Sequence, residues 1–416
     1  MLNFNDVNFI KQDSNVFIST SHLICQYFFK YFYIILLSTV SIIIICYLLY
    51  KGSRKMSHRF WYNQPVNFSI NHNKGTRIIA NDIPKTNKWV NYKNISFYSL
   101  YDEENYIENI QTFLTTNYKQ ESISDYIYTP LHLTAYLKGH NSPVFIGIYK
   151  DNTAMVKNNE MIGCITAYPL NILSKKTPVK TVYYVDNLCV KTDMRSKNIA
   201  PQMIATIYDH FRKNTDSTKI AIFKRENFCD NYIVPVISYH TSLYHIDNWF
   251  HRKYQLHASA KVLDVSKQNI NLLYSFIYTN TNLELIILPE LSNVECLIDD
   301  EQLFIKLLIV DEQISAMYVF RDSNTMYNGA RTIECIGSIN NQKNTNFFVN
   351  GFFFVLEELY TKHKFKILQM ENQSHNYIIT KKIQKKWTPY YVVPIAWFFY
   401  NYIFPQQSPN TTLILA

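Results

Sequence analysis

The chain has 416 residues, of which 47% are hydrophobic, and a formal net charge of +9. That apolar fraction excludes a chain disordered throughout and suffices for cores of ordinary domain size. The positive balance raises nucleic acid as a partner, but the charge is dispersed and no nucleic-acid-binding motif is present, so nucleic acid is not expected.

Residues 1–30 mix polar and apolar types without a clear period and are predicted to be a tail. Residues 31–50 carry no charge, and twenty residues at about 1.5 Å each reach about 30 Å, the thickness of a bilayer core. One transmembrane helix is predicted there. Lys51, Arg54, Lys55 and Arg59 follow it, against only Lys11 and Lys30 before it. The positive-inside rule then puts the large C-terminal part in the cytosol, as a single-pass membrane protein anchored through residues 31–50. The alternative is a signal peptide, but the run is longer than a usual apolar core and no small-residue cleavage site follows.

Farther along, residues 107–137 fit helices, while residues 144–149, 161–172 and 183–190 read as strands. Asp186 and Asn187 interrupt the last of these where a bulge fits. From residue 199 a helical period sets in, with Ile199, Met203, Ile204, Ile207 and Phe211 on one face and Pro201 in the first turn. Between strand and helix lie Arg195, Ser196, Lys197 and Asn198. A helix N-terminus offers free N–H donors and a positive dipole end, so two cations in front of it make a site for a pyrophosphate. A second strand-rich half begins near residue 249, with a hairpin of residues 303–310 and 314–321 and a helix over 347–360 ending in Lys362, His363 and Lys364. The seven cysteines show no zinc spacing, and His240, His245, His251 and His257 lack a matching carboxylate or cysteine pattern. No metal is predicted.

Several stretches resemble the N-myristoyltransferase family. Leu188-Cys189-Val190, Arg195-Ser196-Lys197 and Ala200-Pro201 keep the spacing of its pattern E-x-N-F-L-C-V-x-x-x-L-R-S-K-R-L-A-P, with Asn187 where the pattern has phenylalanine. Arg59-Phe60-Trp61, followed by Gln64-Pro65-Val66, resembles its F-W-x-T-Q-P-V. Asn117-Tyr118 through Tyr128-Thr129-Pro130 resembles its N-Y-V-E-D-D-D-x-M-F-R-F-x-Y-S-P, with one carboxylate, Glu121, where the family has three. Phe223 stands where the family has a threonine, Leu368 where it has an acidic residue, and Tyr239-His240-Thr241-Ser242-Leu243 resembles W-H-R-S-L. The last residues, 399–416, resemble its Y-L-Y-N-W-x-C-P…G-L-V-L-Q ending.

The resemblance implies an α/β fold, a mixed sheet made of two GNAT-like halves about a pseudo-twofold axis, at residues 56–248 for acyl-CoA and 249–416 for peptide. It implies transfer of a myristoyl group from myristoyl-CoA, a co-substrate rather than a cofactor, to the N-terminal glycine amine of peptides or proteins. The acyl-CoA would lie against Arg59, Phe60, Trp61, the strand residues Asn187, Leu188, Cys189 and Val190, and the turn formed by Arg195, Ser196, Lys197, Asn198, Ile199 and Ala200. The peptide would meet Glu121, Tyr128 and His240. The N–H groups of Asn187 and Leu188 would hold the oxyanion, and the Ala416 carboxylate would take the amine's proton. The departures leave an alternative, a catalytically impaired membrane-anchored homologue that binds acyl-CoA or lipid without transfer.

Overall fold

The computed structural model describes residues 5–57, 59–68, 75–83, 87–100, 105–118, 124–150, 160–175, 177–215, 218–227, 233–251, 253–279, 282–341 and 343–416. It comprises two compact units, Met1–Gln64 and Pro65–Ala416.

The first unit is one continuous helix, α1 (Asn5–Ser57), followed by a 3-10 turn at Trp61–Asn63. The predicted tail is corrected: residues 5–30 are helical. No proline or glycine occurs before Gly52, so nothing stops a helix nucleated in the apolar run from extending toward the N-terminus. Its segment Tyr27–Ser53 is exposed and is long and apolar enough to cross a membrane.

The second unit opens with β1 (Arg77–Ile78), β2 (Ile95–Tyr98), α2 (Asn105–Asn117), β3 (Ser124–Tyr126) and α3 (Pro130–Leu137). Then come β4 (Phe145–Lys150), β5 (Met161–Ser174), β6 (Thr177–Val190), α4 (Ile199–Asn214), β7 (Ala221–Glu226) and β8 (Ile237–His245). The chain continues through β9 (Ala260–Asp264), α5 (Ile270–Thr279), β10 (Leu285–Pro289), α6 (Leu291–Asp299), β11 (Leu303–Val310), β12 (Gln313–Tyr327) and β13 (Ala330–Asn340). It closes with α7 (Thr345–His363), β14 (Ile367–Glu371), α8 (Asn376–Ile383), β15 (Tyr391–Tyr400), β16 (Tyr402–Ile403) and β17 (Thr412–Ile414).

Fifteen of these strands form one mixed sheet, whose main path runs β17-β10-β5-β6-β7-β15-β8-β14-β13-β12-β11-β9. The order is nearly palindromic about the β15–β8 pair. On one side β4, β5 and β6 run antiparallel and cross over through α4 to the parallel β7; on the other, β11, β12 and β13 do the same through α7 to β14. Each run then lends its next strand to the other, so that β8 pairs with β14 and β15 with β7. A parallel neighbour demands a crossover, and in both runs the crossover helix buries its apolar face: Ile199, Met203, Ile207 and Phe211 on α4, and Phe348, Phe352, Val355 and Leu359 on α7. This exchange brings β6, β7, β12, β13 and β14 around one central space.

Candidate active site

Strands β5 and β6 pair in register down to Thr166↔Asp186 and again at Cys164↔Cys189. Between those pairs β6 takes three steps and β5 two, which leaves Asn187 and Leu188 as a bulge. Asn187 has φ 52, in the left-handed region that asparagine tolerates better than most residues. Its side chain is pinned on both sides: the Tyr128 hydroxyl donates to Asn187 Oδ1 at 2.9 Å, and Asn187 Nδ2 donates to Thr166 Oγ1 at 3.0 Å.

Beyond β6 the backbone turns through Ser196 at φ 63 and Asn198 at φ 62, and α4 begins. Arg195 clamps this turn, with Nε donating to the Val190 carbonyl at 3.2 Å and Nη2 to the Asn117 carbonyl at 2.5 Å. Lys197 is exposed and makes no ion pair among the described residues.

A cavity of about 670 Å³ joins these features. Arg195 and Ala200 line it together with Asn187, Leu188, Cys189 and Val190. So do Asp186, Lys224, Arg321 and Glu334, and the aromatic rings of Tyr118, Tyr126 and Tyr184. Ser196, Lys197 and Asn198 are exposed and Ile199 is buried, so these four expected contacts are not in the lining.

Beside the cavity runs a chain of buried charges. Arg321 Nε donates to Glu334 Oε2 at 2.6 Å, Gln369 donates to Glu334 Oε1 at 2.7 Å, and Lys224 pairs with Glu371 at 2.5 Å. Tyr239 and Gln373 both donate to Glu371 Oε2, at 2.8 and 2.9 Å, and Trp397 donates to the Tyr239 hydroxyl at 3.0 Å. Burial alone would raise the Glu334 carboxyl, but Arg321 and Lys224 overcome it and hold the group down at about 2. For Glu371 burial prevails over Lys224, and its carboxyl is raised. Nearby, burial lowers His132 to about 4, with its Nδ1 2.9 Å from Gln302 Oε1.

Ala416 is buried. With Leu273, Leu288, Leu303 and Leu415 it lines a small apolar pocket of about 20 Å³. Its main-chain oxygen accepts from Arg321 Nη1 at 2.5 Å. Arg321 and Tyr136 line both spaces; Ala416 lines only the small one.

His240 lies on the exposed side of β8. Strand side chains alternate, and β8 buries Tyr239 and Thr241 while exposing Ser238 and His240. His240 does not line the cavity; its neighbour Tyr239 reaches the charge chain instead. Tyr128 supports the bulge rather than lining the cavity. The same alternation applies to β7, where Phe223 stacks on Phe398 with ring centroids 5.3 Å apart while Lys224 faces the cavity. Glu121 lies outside the described residues. Arg59, Phe60 and Trp61 belong to the first unit, where the Phe60 and Trp61 rings meet edge to face at 4.9 Å. Among the described residues no group of three or more His, Cys, Asp or Glu could hold a metal ion.

Sequence reasoning missed Asp186, Lys224, Arg321, Glu334 and Glu371 as site residues. Each is a charge inside a strand whose other residues are largely apolar, and such a residue must be paired or face a polar space.

Comparisons with known proteins agree with this architecture. Residues 75–227 match the family described as Myristoyl-CoA:protein N-myristoyltransferase, N-terminal domain. A glycylpeptide N-tetradecanoyltransferase of Plasmodium falciparum is 27% identical over 165 residues, 38% of this chain; the match spans 40% of that relative's length. The fold is that of Saccharomyces cerevisiae N-myristoyltransferase with bound myristoyl-CoA, at a TM-score of 0.65 and 16% identity, covering 84% of this chain and 94% of that one. A second structure of the yeast enzyme, with myristoyl-CoA and inhibitors, gives a TM-score of 0.66 at 15% identity over 84% of this chain and 91% of that one. The chain is thus similar to N-myristoyltransferases over residues 75–227, where the family's N-terminal domain matches, and shares their fold.

Proposed function

We propose that the protein transfers a myristoyl group from myristoyl-CoA to the N-terminal glycine amine of peptides or proteins. One observation carries this reading: a single cavity is lined both by the β6 bulge and by the turn that opens α4. In the proposed complex the CoA phosphates lie at the N-terminus of α4, where free N–H groups and the helix dipole favour anions. The thioester carbonyl then points at the N–H groups of Asn187 and Leu188. Donors aimed at a developing oxyanion are worth roughly 2.7 to 4 kcal/mol each in acyl transfer. The amine attacks the carbonyl carbon directly, the N–C bond forms as the C–S bond breaks, and CoA leaves. Cys189 is not a nucleophile in this scheme: burial raises its thiol to about 11, and Arg195 offsets that only in part.

Peptide preference is proposed to differ from a strongly basic one, since Glu121 is a lone carboxylate in the segment resembling an acidic triplet. Helix α1 is proposed to anchor the protein in a membrane, with the second unit on the cytosolic side.

The test incubates the full-length chain, purified in detergent, with myristoyl-CoA and a glycine-initiated peptide, and weighs the peptide. The expected result is a gain of one myristoyl group with release of one CoA. Binding of myristoyl-CoA without any gain in peptide mass would favour the impaired homologue, a reading motivated by the pairing of Arg321 with Ala416.

A further inference from the structure

We propose that the C-terminal turn of α8, with the sheet edge it returns to, is a docking surface for the anionic headgroups of a lipid bilayer. The inference is independent of the acyl-transfer reading and rests on the proposed anchoring by α1, which supplies the bilayer.

The patch begins as a local feature of the sequence. Residues 372–416 contain no aspartate or glutamate, yet Lys381, Lys382, Lys385 and Lys386 crowd into six consecutive positions there. All four are exposed, and none forms an ion pair among the described residues. Lys381 and Lys382 sit in the last turn of α8, where the helix dipole favours cations, but Lys385 and Lys386 follow the helix end. The Gln384 N–H still donates to the Thr380 carbonyl and the Trp387 N–H to the Ile383 carbonyl, both at 2.9 Å. The winding therefore continues, and it sets Lys381 beside Lys385 and Lys382 beside Lys386. Like charges at that spacing repel. The crowding opposes folding, and an outside polyanion relieves it.

Tertiary packing enlarges the patch. Tyr390 stacks on His245 with ring centroids 4.5 Å apart, Trp387 stacks on Trp249 at 4.3 Å, and the Ile246 N–H donates to the Lys366 carbonyl at 3.0 Å. The turn after α8, the end of β8 and the start of β14 thus share one edge, where Lys366 is also exposed. The carboxylates on the elements packed here are Asp247, which accepts from the Tyr360 hydroxyl at 3.5 Å, and Glu357, which accepts from the Tyr254 N–H at 2.8 Å. The lysines stay in excess. Tyr390 and Val392, 39% and 45% exposed, add apolar surface beside them.

Lysines around exposed aromatic and aliphatic side chains suit the bilayer interface, where cations meet lipid headgroups and apolar groups reach the acyl boundary. A bilayer is favoured over nucleic acid because the same chain carries Tyr27–Ser53, an exposed segment long and apolar enough to cross one. A tether makes a weak patch effective, since it holds the lipid at high local concentration.

The test reconstitutes the full-length protein into vesicles of phosphatidylcholine alone, and of phosphatidylcholine with phosphatidylserine as about a third of the lipid, an anionic surface. Lysines are acetylated briefly with an active ester and followed by mass spectrometry, with Lys267, paired with Asp299, as internal reference. Lys381, Lys382, Lys385 and Lys386 are expected to react about threefold or more slowly on the anionic vesicles, and high salt should abolish the difference. A quadruple variant, Lys381→Gln, Lys382→Gln, Lys385→Gln and Lys386→Gln, is expected to lose the protection of Lys366 with a thermal midpoint no lower than wild type. Equal reactivity on both vesicles overturns the proposal, and so does protection by added RNA on neutral vesicles with none from phosphatidylserine. Failure of the protein to float with neutral vesicles overturns the anchoring by α1 instead, and the lysine contrast is then read with the same two vesicles added to the protein.

Discussion

The β6 bulge and the Arg321 charge chain lie on one cavity and treat polar groups in opposite ways. At the bulge, Asp186 faces the cavity without an ion-pair partner among the described residues, and the backbone leaves the ladder at a left-handed asparagine. Along the charge chain every carboxylate has a fixed donor: Glu334 takes Arg321 and Gln369, and Glu371 takes Lys224, Tyr239 and Gln373. Buried polar groups that are fully paired hold a structure in one arrangement, whereas those left open can bind and react. The contrast assigns stability to the charge chain and chemistry to the bulge.

The comparison can be broken most severely at Arg321. Arg321→Met strands Glu334 in the interior, and losing one partner of a buried pair costs about 3–5 kcal/mol. A urea midpoint within error of wild type would show that the chain does not stabilise the fold. Gly337→Val comes next. A Cβ at Gly337 would meet the Leu413 side chain on β17, and overpacking of this kind costs about 1–3 kcal/mol, read by the same denaturation. Tyr128→Phe removes the hydroxyl that pins Asn187 and should cost about 1 kcal/mol.

Acidity sharpens the contrast, because the two regions respond with opposite sign. Glu334 sits at about 2 in the fold against an ordinary 4.5, so its contribution is complete above 4.5 and is lost as pH falls through about 2. Asp186 is raised above 3.8, so its contribution is largest below 3.8 and declines as pH rises through its folded value. Asp186→Asn should therefore be at least as stable as wild type at neutral pH, and the difference should vanish in acid. A neutral-pH thermal midpoint well below wild type would make Asp186 a structural residue.

Much of the bulge region was legible in sequence because its signals are local. The alternating strand, the interruption at Asp186 and Asn187, and the periodic face from Ile199 all lie within thirty residues of one another. The charge chain was not, since Lys224 and Glu371 are 147 residues apart and meet only through the exchange of β8 and β15. Strand phase decides the inward residues of β7 and β8: a shift of one residue separates His240 from Tyr239 and Phe223 from Lys224, and it reverses which one faces inward. The helix over residues 5–30 escaped for a different reason: its sequence shows no amphipathic period, and only the backbone reveals it.

The most direct test of the shared cavity is the affinity of Ala200→Glu for myristoyl-CoA. Ala200 lies in the first turn of α4 and lines the cavity; a glutamate there suits the helix dipole, so the variant should fold, yet it sets a negative charge where the phosphates are placed. The account predicts calorimetric affinity weakened by about tenfold or more, a penalty of roughly 1.4 kcal/mol or above, with thermal stability unchanged. Affinity equal to wild type would contradict it.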